Sequence, residues 1–139
     1  MKLITFPPSL AVLSNPVTSH TLMWPEYEYE ICHGGFLIPL VVSPVNRNLV
    51  RAYLILVGNH RACLCAKHGI SIPAYVMTRD TPPYEIFELE AKNQIRRFPH
   101  REFLCGDQTF RGHMNEAIEA ALRLDETVEA ALDRILRTE

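Results

Sequence analysis

The chain has 139 residues, of which 47% are hydrophobic and 22% are charged, and its formal net charge is −2. These values are typical of one globular domain over residues 1–139, and they exclude the disorder that low hydrophobicity and high charge produce. A protein that follows a nucleic-acid backbone with its whole surface would be basic, and the weakly negative net charge excludes that class.

The sequence predicts no membrane association. No apolar run reaches the roughly 18 residues that a transmembrane helix needs. Pro7 and Pro8 interrupt the N-terminal apolar stretch, which disfavours a signal peptide. We therefore expect a cytoplasmic protein whose four cysteines are free thiols.

Apolar segments separated by turn residues dominate the chain up to about residue 80. In Glu26–His33, EYEYEICH, glutamates alternate with Tyr27, Tyr29 and Ile31, which predicts a strand with one solvated face. Leu49–Val57 is the most hydrophobic segment, and we expect it to be the central strand, buried on both faces. The other predicted strands are FLIPLVVSPV, RACLCAK and ISIPAYVMT, with the proline-flanked KLITF and SLAVL at the sheet edges.

Helical periodicity follows. TPPYEIFELEAKNQIRRF predicts a helix with Thr81 as its N-cap and with Arg96 and Arg97 in its last turn; a strand over YEIFELE is the alternative. The C-terminal segment from His113 carries an apolar helical stripe that is interrupted at LDET. It forms either one long helix or two, and we favour two, with Asp125 or Thr127 capping the second.

These elements predict an α+β fold. Turns at intervals of about 8–12 residues are typical of an antiparallel meander. The expected architecture is an N-terminal antiparallel meander or half-barrel of five to seven strands, β-rich over residues 1–80, followed by two or three helices over residues 81–139. The apolar stripe of the C-terminal helices could also pair with a second copy, so a homodimer is expected through them.

A dense group of cysteines and histidines lies in GNHRACLCAKHGIS, which contains His60, Cys63, Cys65 and His68. Zinc prefers four such ligands in a tetrahedron. On the predicted strand, however, the two cysteines share one face, His68 points to the other and His60 lies in the preceding turn. We therefore expect the cysteines to be small buried side chains, and a zinc site is expected only if Cys32, His33, Cys105 or His113 folds over them.

Cys32 is a second candidate, as a catalytic thiol. A cysteine beside a glycine turn can act as a nucleophile when a base lies near it. His33 points away from it on a strand, so the base would be His60, His68, His100 or His113. The strand would also place Cys32 among glutamates, which raise the pKa of a thiol.

The segment from Lys92 to Arg111 has five basic residues against two acidic ones, interleaved with phenylalanines. Such segments bind phosphates or single-stranded nucleic acid. It runs into the polar, glycine-flanked loop CGDQTFRGH, where binding residues are often found. The candidate binding residues are Arg96, Arg97, His100, Arg101, Asp107, Arg111 and His113.

No strong catalytic or nucleotide-binding motif is present, so the favoured function is a small non-enzymatic module that binds a protein or a small molecule and acts as a regulator, inhibitor or adaptor. One alternative is a small hydrolase or transferase with a Cys/His or Cys-metal centre. The other is nucleic-acid binding through the basic segment 92–111.

Overall fold

Five strands and five helices make up the part of the chain that the computed structural model describes, which is residues 1–18, 23–34, 38–97, 115 and 118–138. The strands are β1 (Lys2–Phe6), β2 (Ala11–Val12), β3 (Leu40–Arg47), β4 (Val50–Val57) and β5 (Ile72–Val76). The helices are α1 (Met23–Tyr29), which continues into a π-helical turn (Glu30–Gly34), α2 (Asn59–His68), α3 (Pro83–Ala91), α4 (residues 118–124) and α5 (Val128–Thr138).

The strands form one mixed sheet in the order β1-β5-β3-β4-β2. β1 pairs antiparallel with β5, and β3 pairs antiparallel with β4, whereas the β3–β5 and β2–β4 pairs are parallel. The α+β class is thus confirmed, but the purely antiparallel meander is wrong. A parallel pair needs a long crossover connection, and α2 lies within the connection that leads from β4 to β5.

KLITF and SLAVL supply the two edge strands of the sheet, as predicted, but they lie at opposite edges. The chain passes from one edge to the other through a 3₁₀ turn at Pro8–Leu10 that packs against α2 and α5. At the end of β1 the ring of Phe6 lies 4.5 Å from the ring of Tyr53, measured between centroids. The central strand is β3 rather than β4, because β2 pairs with the outer side of β4.

Helices cover both faces of the sheet. On one face, Val42 and Ile55 pack with residues of α2 and α5. On the other, Leu54 and Met77 pack with Ile86 of α3 and with α4. The expected division into a β-rich first part and a helical second part is therefore wrong, since α1 and α2 are interleaved with the strands.

The segment predicted as the strand Glu26–His33 is helical. Its aromatic face is not buried as a strand would require, since Tyr29 is 69% exposed. Contacts with distant residues fix it instead: Ile31 packs against the core, Glu28 accepts from Lys67 at 2.9 Å, and Glu30 accepts from Arg96 at 3.0 Å. These contacts involve residues far away in the sequence, and the alternation of residue types along the segment does not reveal them.

The segment RACLCAK, predicted as a strand, is the middle of α2. The glycine that marked a hairpin turn is the helix C-cap: Gly69 has φ +65°, its N–H bonds to the carbonyl of Ala66, and the N–H of Ile70 bonds to the carbonyl of Cys65 at 2.8 Å. This pair of bonds is a Schellman motif. The same Gly signal serves a hairpin turn and a helix end, which explains the wrong assignment.

The later helices agree better with the sequence. The helix in TPPYEIFELEAKNQIRRF is confirmed as α3, but Pro82 precedes its first turn instead of Thr81, and it ends at Ala91. Arg96 and Arg97 therefore lie beyond the helix and not in its last turn.

The C-terminal segment contains two helices, as we favoured, and the hydroxyl of Thr127 caps the second by accepting from the N–H of Ala130 at 3.1 Å. Among the described helices, none combines the length and the apolar character needed to cross a bilayer.

The turn before α2 depends on Gly58, and this dependence can be tested by substitution. Gly58 has φ +107°, and a Cβ there would lie 2.6 Å from Cγ of Leu40. Gly69 also has a positive φ, but a Cβ there would meet nothing within 4 Å. We expect Gly58→Ala to lower the free energy of unfolding by about 3 kcal/mol, because strain and overlap add, and Gly69→Ala by about 1 kcal/mol. Equilibrium unfolding in urea measures both, and equal losses would contradict the close packing of Gly58.

Candidate functional site

The two cysteines of the dense Cys/His segment lie in the core. Cys63 and Cys65 are both 0% exposed and pack in the layer between the sheet and α5. Burial raises the pKa of Cys63 to about 12, with a smaller contribution from Glu126, and raises the pKa of Cys65 to about 11. Both side chains are therefore protonated thiols at neutral pH.

The two histidines of the same segment lie in the first and last turns of α2, at opposite ends of a ten-residue helix that is about 15 Å long. In the ranges that the structure describes, no three His, Cys, Asp or Glu side chains come together as metal ligands would. The expectation that Cys63 and Cys65 share one face rested on a strand and is wrong, because residues two apart on a helix point in very different directions. Cys105 and His113, which we considered as further ligands, lie outside the described residues.

A cavity of about 290 Å³ opens at the N-terminal end of α2, where β4 ends and the chain turns at Gly58. The polar side chains that line it are Asn15, Asn59, His60, Arg61, Arg96 and Arg97. Two of the residues predicted to bind a ligand, Arg96 and Arg97, thus meet the first turn of α2. The other five, His100, Arg101, Asp107, Arg111 and His113, lie outside the described residues.

Asn59 fixes one wall of this cavity. Its side-chain carbonyl accepts from the backbone N–H of Ser14 at 3.0 Å, and its amide donates to the Ser14 hydroxyl at 3.1 Å. These bonds hold the segment after β2 against the start of the helix, so that Asn15 and Pro16 form the rim.

Arg61 brings a buried positive charge to the cavity. The side chain is 1% exposed, and its Nη1 donates to the carbonyl of Ile38 at 2.6 Å. A guanidinium removed from water is costly unless acceptors or an opposite charge surround it.

Arg96 and Arg97 reach the cavity from the segment that follows α3. Arg96 also donates to Glu30 at 3.0 Å, and its side chain is 45% exposed. Both arginines also line a second cavity of about 460 Å³, together with Glu90 and Asn93. The two arginines are therefore shared by two cavities.

His60 does not add to this charge at neutral pH, because burial lowers its pKa below the ordinary value of 6.5. The permanent positive charge at the cavity comes from the arginines. From the sequence, His60 was a candidate metal ligand and a candidate base for Cys32, and Arg61 was not a candidate for any site. The signal that could have identified both is a glycine directly after a buried strand, followed by a basic dipeptide at the start of a helix.

Cys32 and His68 meet at the other end of α2. The Sγ atom of Cys32 lies 3.5 Å from Nε2 of His68, and both side chains are exposed. His68 was one of the four bases that the sequence allowed for this thiol, and the folding of α1 against α2 brings it there. His33, the neighbour in sequence, stacks instead on Tyr29, with 4.6 Å between ring centroids.

The lowered pKa of His60 predicts a contribution to acid sensitivity. The unfolded chain binds a proton at His60 near pH 6.5, whereas the folded chain does so only at lower pH. The stability associated with neutral His60 is therefore present above about pH 6.5 and is lost as the pH falls through that value toward the lowered pKa. We expect His60→Gln to lose less stability than the wild type between about pH 7.5 and 5.5, as urea unfolding at several pH values measures. An equal loss in both proteins would contradict the burial of His60.

In comparisons with known proteins, the chain matches no protein-family model and no curated protein.

Proposed function

We propose that this protein is a small non-enzymatic binding module whose ligand is a small phosphorylated molecule held in the cavity at the N-terminal end of α2. The observation that carries the proposal is the convergence of Arg61, Arg96 and Arg97 on one cavity. These residues come from two segments that are more than thirty residues apart in the sequence, so the fold and not the local sequence assembles them.

The chemistry of the lining favours a phosphate group. Guanidinium groups donate parallel hydrogen bonds to phosphate and carboxylate oxygens, and charge-assisted bonds of this kind are stronger than neutral ones. The first turn of a helix adds partial positive charge and backbone N–H groups. Since Gly58 and the first residues of α2 line the cavity, both contributions act on the same space.

The size of the cavity limits the ligand. Pockets for small molecules usually measure about 300–1,000 Å³, and this one, at about 290 Å³, lies at the lower end. It suits a phosphate group with a small organic part better than a large cofactor. The sequence contains no strong catalytic motif, which favours a regulatory role. In such a role, the module would act on a protein partner when its ligand is bound.

Two further expectations are secondary proposals. Nucleic-acid binding through residues 92–111 would use the same Arg96 and Arg97. A homodimer through the C-terminal helices would need an apolar surface there, but Val128, Ala131 and Ile135 of α5 are buried in the core of the chain itself. The surface for such a dimer would have to be built on exposed residues such as Leu122 and Leu136.

The proposal predicts that pyrophosphate, used as a probe, binds the folded chain and that Arg97→Gln weakens this binding. Arg97 is exposed, so its loss should not disturb the fold. We expect the dissociation constant to rise about tenfold or more, because a hydrogen bond to a charged group is worth about 1.5–3 kcal/mol. Isothermal titration calorimetry measures the affinity, and amide shifts at Gly58, Asn59 and Arg61 in nuclear magnetic resonance spectra locate the site.

The matched control is Arg123→Gln, which removes the same charge from an exposed position on α4. It should leave pyrophosphate affinity unchanged. Equal weakening by the two variants would mean that only net charge matters and would refute a defined site. Displacement of pyrophosphate by a single-stranded oligonucleotide, with an affinity that falls steeply with salt, would favour the nucleic-acid alternative.

A further inference from the structure

We propose that Cys32 and His68 form a reactive thiol–imidazole pair, and that Cys32 is a site of thiol–disulfide exchange with small-molecule disulfides. The pair lies at the C-terminal end of α2, away from the cavity at its N-terminal end, so this inference does not depend on the proposed function.

The geometry places a base within reach of a thiol. Cys32 Sγ lies 3.5 Å from Nε2 of His68, which is hydrogen-bonding distance for sulfur. A thiol with an imidazole in this position is the arrangement that activates cysteine nucleophiles. His68 is the last residue of α2, and because α2 packs against α1, the helix holds the imidazole at the thiol.

The surrounding charges permit this proton transfer. The sequence suggested that glutamates beside Cys32 would oppose a thiolate. In the folded chain, Glu28 is paired with Lys67 of α2 at 2.9 Å, and Glu30 is paired with Arg96 at 3.0 Å. Tyr29 and His33 are the other titratable groups that line the cavity with the pair on its own segment. Of the three carboxylates on this segment, Glu28 and Glu30 are each balanced by a cation from another part of the chain, and Glu26 lies six residues before Cys32.

There is also room for a reaction partner. Cys32 lines an open cavity of about 440 Å³ together with Glu28, Tyr29, His33 and Lys67. The side chain of Cys32 is exposed, so Sγ is accessible to a small disulfide from that cavity. Cys63 and Cys65 are 0% exposed and cannot be reached by a disulfide in the folded chain.

The exchange step is balanced without any further reagent. The proton of Cys32 moves to Nε2 of His68, and the thiolate attacks one sulfur of the disulfide. The new S–S bond forms as the old one breaks, and the departing thiolate takes the proton back from His68. Cys32 is oxidised to a mixed disulfide while the other half of the small disulfide is reduced to a thiol.

Oxidised glutathione is a suitable probe, with peptide mass spectrometry reporting the thiolation rate at each cysteine. At about pH 6.5, where a free thiol is only about 1% ionised, we expect His68→Gln to slow thiolation of Cys32 about tenfold. His33→Gln is the matched control and should change the rate less than about twofold, because it removes an imidazole that is beside the thiol but stacked on Tyr29. At about pH 9.5 the rates of all three proteins should converge, since a free thiol then ionises without a base.

A second measurement needs no variant. In wild-type protein at about pH 6.5, Cys32 should be thiolated faster in the folded chain than in the same chain unfolded in urea, whereas Cys63 and Cys65 should show the opposite order. Equal rates for wild type and His68→Gln, or a folded Cys32 that reacts more slowly than the unfolded one, would overturn the proposal.

Discussion

The arrangement of the described chain depends on the close approach of the turn at Gly58 to the beginning of β3. With no Cβ at position 58, the backbone passes so near to Leu40 that any larger residue would overlap its side chain. This contact sets where α2 begins and directs it across one face of the sheet. Because the helix then ends at Gly69 in a Schellman motif, its two ends and the orientation of every side chain between them follow from these two glycines.

A single short helix thus divides its residues among three environments. The middle of α2 supplies the core, where Cys63 and Cys65 behave as small apolar side chains. Its first turn carries Arg61 to the cavity after β4, and its last residue, His68, meets Cys32. The N-terminal end of the helix, where its partial charge is positive, faces the cavity that the three arginines line.

The strands that the sequence predicted most securely are those whose apolar side chains are buried in the sheet. β3, β4 and β5 were placed within a few residues, and so were the edge strands β1 and β2. The break before Val128 was also visible, because Thr127 is a cap residue followed by an apolar helical period. In these cases the local pattern and the tertiary contacts favour the same structure.

The same reasoning failed for α1, whose contacts are with residues far away in the sequence, and for α2, whose flanking glycines are compatible with two structures. Alternation in EYEYEICH indicated a strand, but the ion pairs of Glu28 and Glu30 with Lys67 and Arg96 lie across the fold. The glycines around RACLCAK were compatible with a hairpin or a helix. Both candidate sites are built on these two helices. Cys32, His68, Arg96 and Arg97 could therefore be identified as candidates from the sequence, but which of them would meet could not be predicted.

Arg96 takes part in two arrangements at once. It lines the cavity at the N-terminal end of α2 and also pairs with Glu30 in the helical segment that contains Cys32. With both partners partly exposed, such a pair is worth only about 0–1 kcal/mol. A phosphate bound in the cavity would therefore draw Arg96 from Glu30 at little cost, so the ion pair and the proposed ligand would compete for one guanidinium.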